Sequence, residues 1–296
     1  MTRVAFLGLG AIGRPMARHL APPRTTLTVW NRTAAKASGF ATETGASAAP
    51  TPRAAAGSAE VVITCLPSSR EVEEIIDGPD GLLAGMARGT ILVDCTSGDP
   101  ATSIRLAARL GDAGVSFLDA PVSGGVSGAE RAALTVMVGG DPALLERVRP
   151  VLAAFGSNIV HCGPVGAGHA LKSVNNAMLA VHLWSLAEGL AALTRAGVSP
   201  KLALDVINAS SGRSNASQNL FPERVLSRAF PRTFRLALLD KDVGIAAGVA
   251  RDQRVASPML QLASELFRAA HAELGEEADH VEAVKIVERW AGVEIA

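Results

Sequence analysis

The sequence predicts an α/β fold, a doubly wound and mostly parallel sheet followed by an all-helical domain. In the first half, short apolar runs typical of buried strands alternate with helical patterns. After Gly163 the strand patterns stop, and only helical patterns follow. The 296 residues are enough for two domains, each with its own core. We therefore expect one domain over residues 1–163 and a second over residues 164–296, joined by a long helix over about 168–195.

The composition limits the classes of function. Hydrophobic residues make up 48% and charged residues 19%, as in globular proteins. The formal net charge is zero, which argues against nucleic-acid or anionic-membrane partners. The three cysteines are too few and too scattered for a disulfide framework or a zinc site, so we expect no metal. Neither a signal-peptide pattern nor an unbroken run of about 18 apolar residues occurs, which predicts a soluble, cytoplasmic protein without a membrane segment.

A glycine motif follows the first strand pattern. The run Gly8-Leu9-Gly10-Ala11-Ile12-Gly13 lies between an apolar strand at 4–8 and a helical pattern at 14–20. In this setting the first glycine allows a tight turn, the second a close approach of a pyrophosphate, and the third close helix–strand packing. The helix N-terminus then faces the phosphates. The motif predicts a Rossmann-type dinucleotide site, and the alternative is a purely structural turn.

The residues after the second strand bear on the choice of cofactor. The strand at 25–30 is followed by Asn31, Arg32 and Thr33. An acidic residue here would accept hydrogen bonds from a ribose and repel a 2′-phosphate. Asn31 is neutral, and Arg32 can pair with a phosphate in bidentate fashion. We expect NADP(H) to be preferred, with NAD(H) as the alternative cofactor. The competing interpretation of Arg32 is an arginine on a solvated turn.

Further strands and helices complete the first domain. Strand patterns occur at 61–67, 91–94, 116–121, 134–138 and 157–160. Helices are expected near 69–76, after Pro100 with Asp99 as its N-cap, and from about Pro142. Because ligands of such sheets bind at the carboxyl ends of the strands, four residues are expected along the cofactor crevice. They are Leu66, Pro67, Thr96 and Ser97.

A glycine pair also follows the strand at 116–121. Ser123, Gly124 and Gly125 would offer consecutive backbone N–H groups and a hydroxyl, a combination that binds an anion such as a carboxylate. The alternative is a flexible turn before a short helix.

The start of the long helix carries unusual polar residues. Lys172, Asn175 and Asn176 are spaced i, i+3, i+4, so a helix places them on one face, and His169 joins that face at i−3. An ammonium beside two amides at the start of an apolar helix indicates a chemical centre.

The remaining helices are expected at 199–212, with Ser199 as N-cap, and at 234–250, 257–274 and 279–290. The third of these begins at Ser257-Pro258. The helix at 234–250 contains Asp240, Lys241 and Asp242, whose alternative interpretation is a solvated helix face.

Four motifs in this order resemble those of the β-hydroxyacid dehydrogenases. They are the glycine motif with Pro15-Met16-Ala17, the run from Asp119 to Gly125, the stretch from Gly163 to Asn176, and Phe234 followed by Lys241-Asp242. That family contains 3-hydroxyisobutyrate dehydrogenase, tartronate semialdehyde reductase and succinic semialdehyde or glyoxylate reductases, with domains like those of 6-phosphogluconate dehydrogenase. The resemblance covers essentially the whole chain.

The resemblance implies roles for individual residues. Lys172 would be the catalytic lysine, and Lys241 would reach the cleft near the cofactor. Ser123, Gly124, Gly125 and Asn176 would bind the carboxylate region of the substrate, with Asn175 open between a ligand contact and a structural hydrogen bond. The chain departs from the family pattern in two places. Ile12 stands where methionine is frequent, and the Asp-x-Ser-Thr segment appears as Asp94-Cys95-Thr96-Ser97, so Ser97 would supply the cofactor-contacting hydroxyl.

The resulting hypothesis is hydride transfer between NADPH and a small carboxylate-bearing β-hydroxyacid or semialdehyde. Lys172 would donate a proton to the developing alkoxide in reduction and accept it in oxidation. His169 is the rival acid. Two other functions remain as alternatives, an imine reductase, whose family usually carries another residue in place of the lysine, and a non-catalytic NADP-binding module. The apolar helical half suggests a homo-oligomer, a dimer or a tetramer.

Overall fold

The computed structural model describes residues 1–296. The chain divides into two compact units, residues 1–172 and 173–296. The division falls inside the helix Ala167–Arg195, whereas the sequence placed it before that helix, after residue 163. This helix is one unbroken element of 29 residues, so its first turns belong to the first unit and the remainder to the second.

The first unit contains a single sheet of nine strands. The order is β3-β2-β1-β4-β5-β6-β8-β7, with β9 paired to β8. All pairs are parallel except those of β8 with β6 and with β7. The predicted parallel sheet is therefore confirmed, while the two-residue strands β3 and β7 were not predicted. The strands are β1 (Arg3–Leu7), β2 (Thr26–Trp30), β3 (Ser47–Ala48), β4 (Val61–Thr64), β5 (Ile91–Asp94), β6 (Ser116–Asp119), β7 (Val122–Ser123), β8 (Leu134–Gly139) and β9 (Gly156–Gly163).

Each face of the sheet is covered by its own hydrophobic core. Successive side chains of a strand point to opposite faces. In β1, Val4 and Phe6 enter one core cluster, and Ala5 and Leu7 enter the other. All four are buried. A strand that is apolar on both sides requires helices on both faces, as in a doubly wound sheet.

Eight helices connect the strands of the first unit. In α6, Pro100 is the first residue, and Asp99 accepts a hydrogen bond from the backbone N of Thr102 at 2.8 Å, as predicted. The helix α2 was not predicted, because only Ala37 and Phe40 of its eleven residues are buried, so its apolar period is weak. The helices are α1 (Gly13–Leu20), α2 (Ala34–Thr44), α3 (Pro52–Ala56), α4 (Ser69–Ile76), α5 (Leu82–Gly85), α6 (Pro100–Asp112), α7 (Gly125–Glu130) and α8 (Pro142–Leu152).

The second unit is helical, as predicted, around a separate core that includes Trp184, Phe221 and Phe267. Trp184 and Phe267 meet edge to face, with ring centroids 5.7 Å apart. The helices are α9 (Ala167–Arg195), α10 (Pro200–Asn208), a π-helix (Ala216–Val225), α11 (Leu236–Asp252), α12 (Pro258–Leu274), a 3₁₀-helix (His280–Ala283) and α13 (Val284–Ala291).

Several details of this unit differ from the sequence prediction. The hydroxyl of Ser199, the predicted N-cap, makes no capping hydrogen bond, although Pro200 and Pro258 do occupy the first turns of their helices. Helix α10 ends at Asn208, before the predicted 212. The unpredicted π-helix contains Pro222, which lacks the N–H that a regular helix would use, and the wider turn accommodates it.

Helix α9 is also long and apolar enough, by length and composition alone, to cross a membrane. The expectation of no membrane segment rests on the lack of an unbroken apolar run, and α9 is apolar on average although polar residues interrupt it. One such helix is weak evidence for membrane insertion, since a core helix of a soluble protein can have the same length and composition.

Candidate active site

The glycine loop between β1 and α1 is built for a close approach of backbone to ligand. A Cβ on Gly8, which has a φ of +107°, would collide with the carbonyl of Cys65, and one on Gly13 would collide with the carbonyl of Gly8. A Cβ on Gly10 would meet no atom within 4 Å. The first and third glycines are therefore required by the protein's own packing, whereas the second faces open space.

The N-terminus of α1 has no side-chain cap. Ile12 occupies the N-cap position without a capping hydrogen bond, and no acidic residue lies in the first turn. Gly10 and Ala11 are exposed beside it, while Leu9 is buried. Uncapped N–H groups at a helix N-terminus attract an anion. The loop and helix together fit the pyrophosphate of a dinucleotide, whose phosphates these N–H groups would hold.

The end of β2 contacts this loop through Asn31. The Asn31 carboxamide accepts a hydrogen bond from the backbone N of Leu9 at 2.9 Å and donates one to the carbonyl of Thr33 at 3.1 Å. Its side chain therefore holds the glycine loop in place. Arg32 and Thr33 are exposed, and Arg32 makes no ion pair with a carboxylate of the protein.

The ends of β4 and β5 lie side by side. The Thr96 hydroxyl accepts a hydrogen bond from the backbone N of Leu66 at 3.1 Å. The buried Asp94 carboxylate accepts from the Thr64 hydroxyl at 2.8 Å and from the backbone N of Thr96 at 3.1 Å. Leu66 and Thr96 are thus brought together as the fold class requires. Pro67 is exposed and Ser97 half-buried on the same two loops.

Two cysteines, Cys65 and Cys95, lie near these strand ends. Burial, with a smaller contribution from Asp94, raises the pKa of Cys65 to about 12. Burial likewise raises the pKa of Cys95 well above its ordinary value. A thiol is a nucleophile or metal ligand only as thiolate. No group of three or more His, Cys, Asp or Glu side chains in residues 1–296 is arranged to hold a metal ion.

Ser123, Gly124 and Gly125 lie where β7 passes into α7. Ser123 is half-buried, and the two glycines are exposed with φ angles of +134° and +65°. Such angles favour glycine over any other residue. The short helix α7 begins at Gly125. A turn and a short helix, which the alternative interpretation named, are both present, and the backbone there is exposed.

The start of α9 is closed by Asp119, the last residue of β6. The fully buried Asp119 carboxylate accepts hydrogen bonds from the backbone N of Gly166 at 2.7 Å and of His169 at 2.9 Å. Gly168 lies so close to the carbonyl of Met137 that a Cβ would not fit. A carboxylate at a helix N-terminus is stabilised by the aligned peptide dipoles. Asp119 thus fixes the position of the turn that precedes Lys172.

Lys172 itself is buried, with 9% of its surface exposed. It lies one helical turn after His169, which is fully buried. Both ring nitrogens of His169 have hydrogen-bond partners inside the first unit, the Ser103 hydroxyl and the carbonyl of Thr96. A substrate would find neither nitrogen open, so the rival role of His169 as the acid has no geometric support.

The second unit holds a polar cluster around Asp242. Its buried carboxylate accepts a hydrogen bond from the Asn176 amide at 2.6 Å and forms an ion pair with Lys241 at 2.8 Å. The interpretation of this charged run as a solvated helix face is wrong for Asp242. The Asn175 amide donates to the Asn176 side-chain oxygen at 3.1 Å, which is a structural hydrogen bond.

The neighbouring Asp240 belongs to a different contact. It lies 2.8 Å from Nδ1 of His271, and this hydrogen bond is the largest cause that raises the pKa of His271.

Two residues of this arrangement were missed by sequence reasoning. Asp119 and Asp242 stand inside motifs quoted above, but no role was assigned to either. The available signal was their position, because an acidic residue that ends or interrupts an apolar segment is buried only when it has partners.

Comparisons with known proteins agree with this geometry. A family model for the NAD-binding domain of 6-phosphogluconate dehydrogenase matches residues 3–163. One for the NAD-binding region of NADP-dependent 3-hydroxyisobutyrate dehydrogenase matches residues 166–287. The 2-(hydroxymethyl)glutarate dehydrogenase of Eubacterium barkeri is 35% identical over 99% of this chain and 97% of its own length. The 3-hydroxyisobutyrate dehydrogenase of Pseudomonas aeruginosa is 36% identical over 99% of both chains.

Solved structures with a similar fold include members of the same family. The 3-hydroxyisobutyrate dehydrogenase of Mycobacterium tuberculosis, solved with L-serine, has a TM-score of 0.89 at 31% identity, covering 97% of this chain and 99% of its own. An imine reductase from Myxococcus stipitatus shares only the fold, with a TM-score of 0.66 at 18% identity, over 97% of this chain and 99% of its own. The chain belongs to the β-hydroxyacid dehydrogenase family and is an NAD(P)-dependent oxidoreductase, as the four motifs predict.

Proposed function

We propose that the chain is an NADP(H)-preferring enzyme that interconverts a small β-hydroxyacid and the corresponding aldehyde acid, with Lys172 as general acid and base. The bound cofactor supplies or accepts the hydride at its nicotinamide. The observation that carries the proposal is the buried Lys172 on a helix start that Asp119 fixes from within the same unit.

Lys172 suits the proton-transfer step. In reduction, its ammonium donates a proton to the oxygen that becomes an alkoxide, and in oxidation the amine takes the proton from the hydroxyl. The positive charge also stabilises the developing oxyanion before the proton moves. A lysine here favours carbonyl chemistry over imine chemistry, because the imine reductases usually carry another residue in its place.

Four residues are proposed to recognise the substrate carboxylate, Ser123, Gly124, Gly125 and Asn176. In the first unit, the Ser123 hydroxyl and the exposed backbone of Gly124 and Gly125 offer donors for an anion. In the second unit, Asn176 is held by its hydrogen bond to Asp242. Asn175 is proposed to act through Asn176, and Lys241 is proposed to contact the cofactor.

The preference for NADP(H) is assigned to Arg32 and Thr33. Arg32 is exposed and its guanidinium forms no ion pair with a carboxylate of the protein, which supports pairing with a 2′-phosphate. Asn31 carries no charge to repel that phosphate. Its side-chain oxygen already accepts from the backbone N of Leu9, and its NH2 group donates to the carbonyl of Thr33. NAD(H) is the second cofactor.

We also propose a homo-oligomer, a dimer or a tetramer, in the cytoplasm. Large apolar side chains are exposed on α9 and α10. On α9, Leu171 and Met178 expose 46% and 45% of their surface, and on α10, Leu202 and Val206 expose 57% and 58%. Leu171 and Met178 are seven residues apart and Leu202 and Val206 four, so each pair lies on one face of its helix. Exposed apolar helix faces are typical of subunit contacts. Light scattering on the purified protein measures the number of subunits.

The function is tested by steady-state kinetics on a panel of small semialdehydes and β-hydroxyacids with both cofactors. We expect turnover of at least one aldehyde acid, with kcat/KM about tenfold or more higher for NADPH than for NADH, because one charge-assisted contact is worth about 1.5–3 kcal/mol. Arg32→Ala should remove that preference. The matched control Arg24→Ala, another exposed arginine of the first unit, should keep it.

Three results would contradict the proposal. A clear preference for NADH overturns the cofactor assignment. Turnover of a cyclic imine without turnover of any aldehyde acid overturns the substrate class. Binding of NADPH without turnover of any compound in the panel overturns the catalytic role.

A further inference from the structure

His169 is the one buried histidine of the first unit that the proposed chemistry leaves unused. Its side chain is fully buried. Nδ1 lies 2.7 Å from the Ser103 hydroxyl on α6, and Nε2 lies 2.9 Å from the carbonyl oxygen of Thr96, just after β5. Burying a polar side chain costs free energy unless hydrogen bonds replace those to water, so a fully buried imidazole depends on its specific partners.

The partner of Nε2 fixes one proton of the ring. A carbonyl oxygen only accepts, so Nε2 carries a proton and donates a hydrogen bond to Thr96. The Ser103 hydroxyl beside Nδ1 also lies 3.2 Å from the carbonyl oxygen of Asp99, to which it can donate. Because each ring nitrogen faces a polar partner, the ring has one orientation.

The space around the ring is equally restricted. A Cβ on Gly98 would lie 2.8 Å from Cε1 and 3.1 Å from Nδ1, so the backbone of Gly98 packs directly on the imidazole. The backbone N of His169 is held by Asp119 at 2.9 Å. His169 therefore ties the first turn of α9 to β6 through its backbone and to the loop after β5 through its side chain.

The loop after β5 is where cofactor contacts are proposed. Thr96 offers its carbonyl to His169 and its hydroxyl to the backbone N of Leu66 at 3.1 Å. A short chain of hydrogen bonds thus runs from Leu66 through Thr96 to His169, and Lys172 follows one turn later on the same helix. Every member of this chain belongs to the first unit.

We propose that His169 is a positioning residue, which sets Lys172 relative to the loop of Leu66 and Thr96. The inference rests on the proposed function, because the position of Lys172 matters only if Lys172 serves the reaction. A displacement of about 1 Å in a reacting group costs about a hundredfold in rate. Loss of the imidazole should therefore act on the chemical step and leave cofactor binding intact.

The test compares His169→Leu, His169→Gln and Ser103→Ala with native protein in single-turnover reduction of the most active aldehyde acid of the panel. Rates are expressed per NADPH-binding site, determined by fluorescence titration, so misfolded protein does not count. We expect His169→Leu to lower the rate constant about a hundredfold, with an unchanged Kd for NADPH and an unchanged shape of the pH profile. His169→Gln should recover most of the rate, because its amide can donate to the Thr96 carbonyl.

Ser103→Ala keeps the bond to Thr96 and removes the partner of Nδ1, together with the 3.2 Å hydrogen bond from the Ser103 hydroxyl to the Asp99 carbonyl. It should lower the rate constant about tenfold, equivalent to about 1.4 kcal/mol, and it decides the question where His169→Leu yields no folded protein. The matched control is His19→Leu in the same unit, since Nε2 of His19 also bonds backbone carbonyls, those of Ala129 and Glu130, at 2.9 and 3.0 Å. This control should keep the native rate per site.

Three outcomes overturn the inference. A native rate per site in His169→Leu, or in Ser103→Ala where His169→Leu does not fold, makes the cluster merely structural. Loss of one limb of the pH profile in His169→Leu makes His169 a proton carrier instead. Absence of turnover by the native protein overturns the proposed function together with this inference, whereas an active native protein with unchanged variants overturns this inference alone.

Discussion

Two helix starts in the first unit have opposite designs. Helix α1 begins without a side-chain cap or an acidic residue in its first turn, and Gly10 beside it faces open space. Helix α9 begins against the buried carboxylate of Asp119, which binds the N–H groups of Gly166 and His169. Both ends carry the same partial positive charge of a helix N-terminus.

The two ends use the partial positive charge of a helix N-terminus in different ways. The α1 end leaves its charge and its N–H groups for a phosphate that the protein does not supply. The α9 end neutralises its charge internally, so its first turns form a fixed support for Lys172. Glycine is used at both ends. At α1, Gly10 keeps room for a ligand while Gly8 and Gly13 allow close packing, and at α9, Gly168 lets strand and helix backbones meet.

Removing the internal carboxylate should have the largest effect on stability. Asp119→Ala leaves two buried N–H groups without an acceptor, and each hydrogen bond to a charged group is worth about 1.5–3 kcal/mol. We expect the free energy of unfolding, measured with urea, to fall by about 3–5 kcal/mol.

The control for this measurement is Asp141→Ala. Asp141 also caps a helix of the first unit, accepting from the backbone N of Ala143 at 2.8 Å, but it is exposed. Its loss should cost only about 1 kcal/mol. Equal losses for the two variants would show that the α9 start is an ordinary cap, and the contrast between the two helix ends would fail.

A smaller effect should separate the glycines of the open end. Gly13→Ala forces a Cβ onto the carbonyl of Gly8 and should cost about 1–3 kcal/mol of stability. Gly10→Ala meets no protein atom, so stability should change by less than about 0.5 kcal/mol. Its methyl group would instead occupy the space proposed for the pyrophosphate, so the Kd for NADPH should rise about tenfold or more.

Thermal unfolding and NADPH titration of the two glycine variants measure both quantities. Native affinity in Gly10→Ala would place the pyrophosphate elsewhere. Lost stability in Gly10→Ala would mean that the second glycine is also needed for packing.

Sequence reasoning identified the open helix end more completely than the closed one. Gly8, Gly10 and Gly13 lie within six consecutive residues, and their spacing alone carries the argument. The closed end depends on pairs that are distant in the chain, since Asp119 lies 50 residues and Thr96 lies 73 residues from His169. Periodicity and motif spacing do not report such contacts, which is why His169 appeared as a rival acid.

The same distinction holds in the second unit. Lys241 and Asp242 were recognised as a charged motif, yet the contact of Asp242 with Asn176 joins residues 66 positions apart. The π-helix over Ala216–Val225 was missed for another reason, because no propensity or apolar period distinguishes its wider turns.

The role of Lys172 as proton donor is tested by Lys172→Met, measured for turnover and for NADPH binding in the same preparation. We expect kcat for the aldehyde acid to fall by about 10²–10⁴-fold, the usual contribution of a general acid, while the Kd for NADPH stays native. The control Lys201→Met removes an exposed lysine that pairs only with Asp205 in its own helix and should leave both values unchanged. A near-native kcat in Lys172→Met would contradict the assignment of Lys172 as the proton donor.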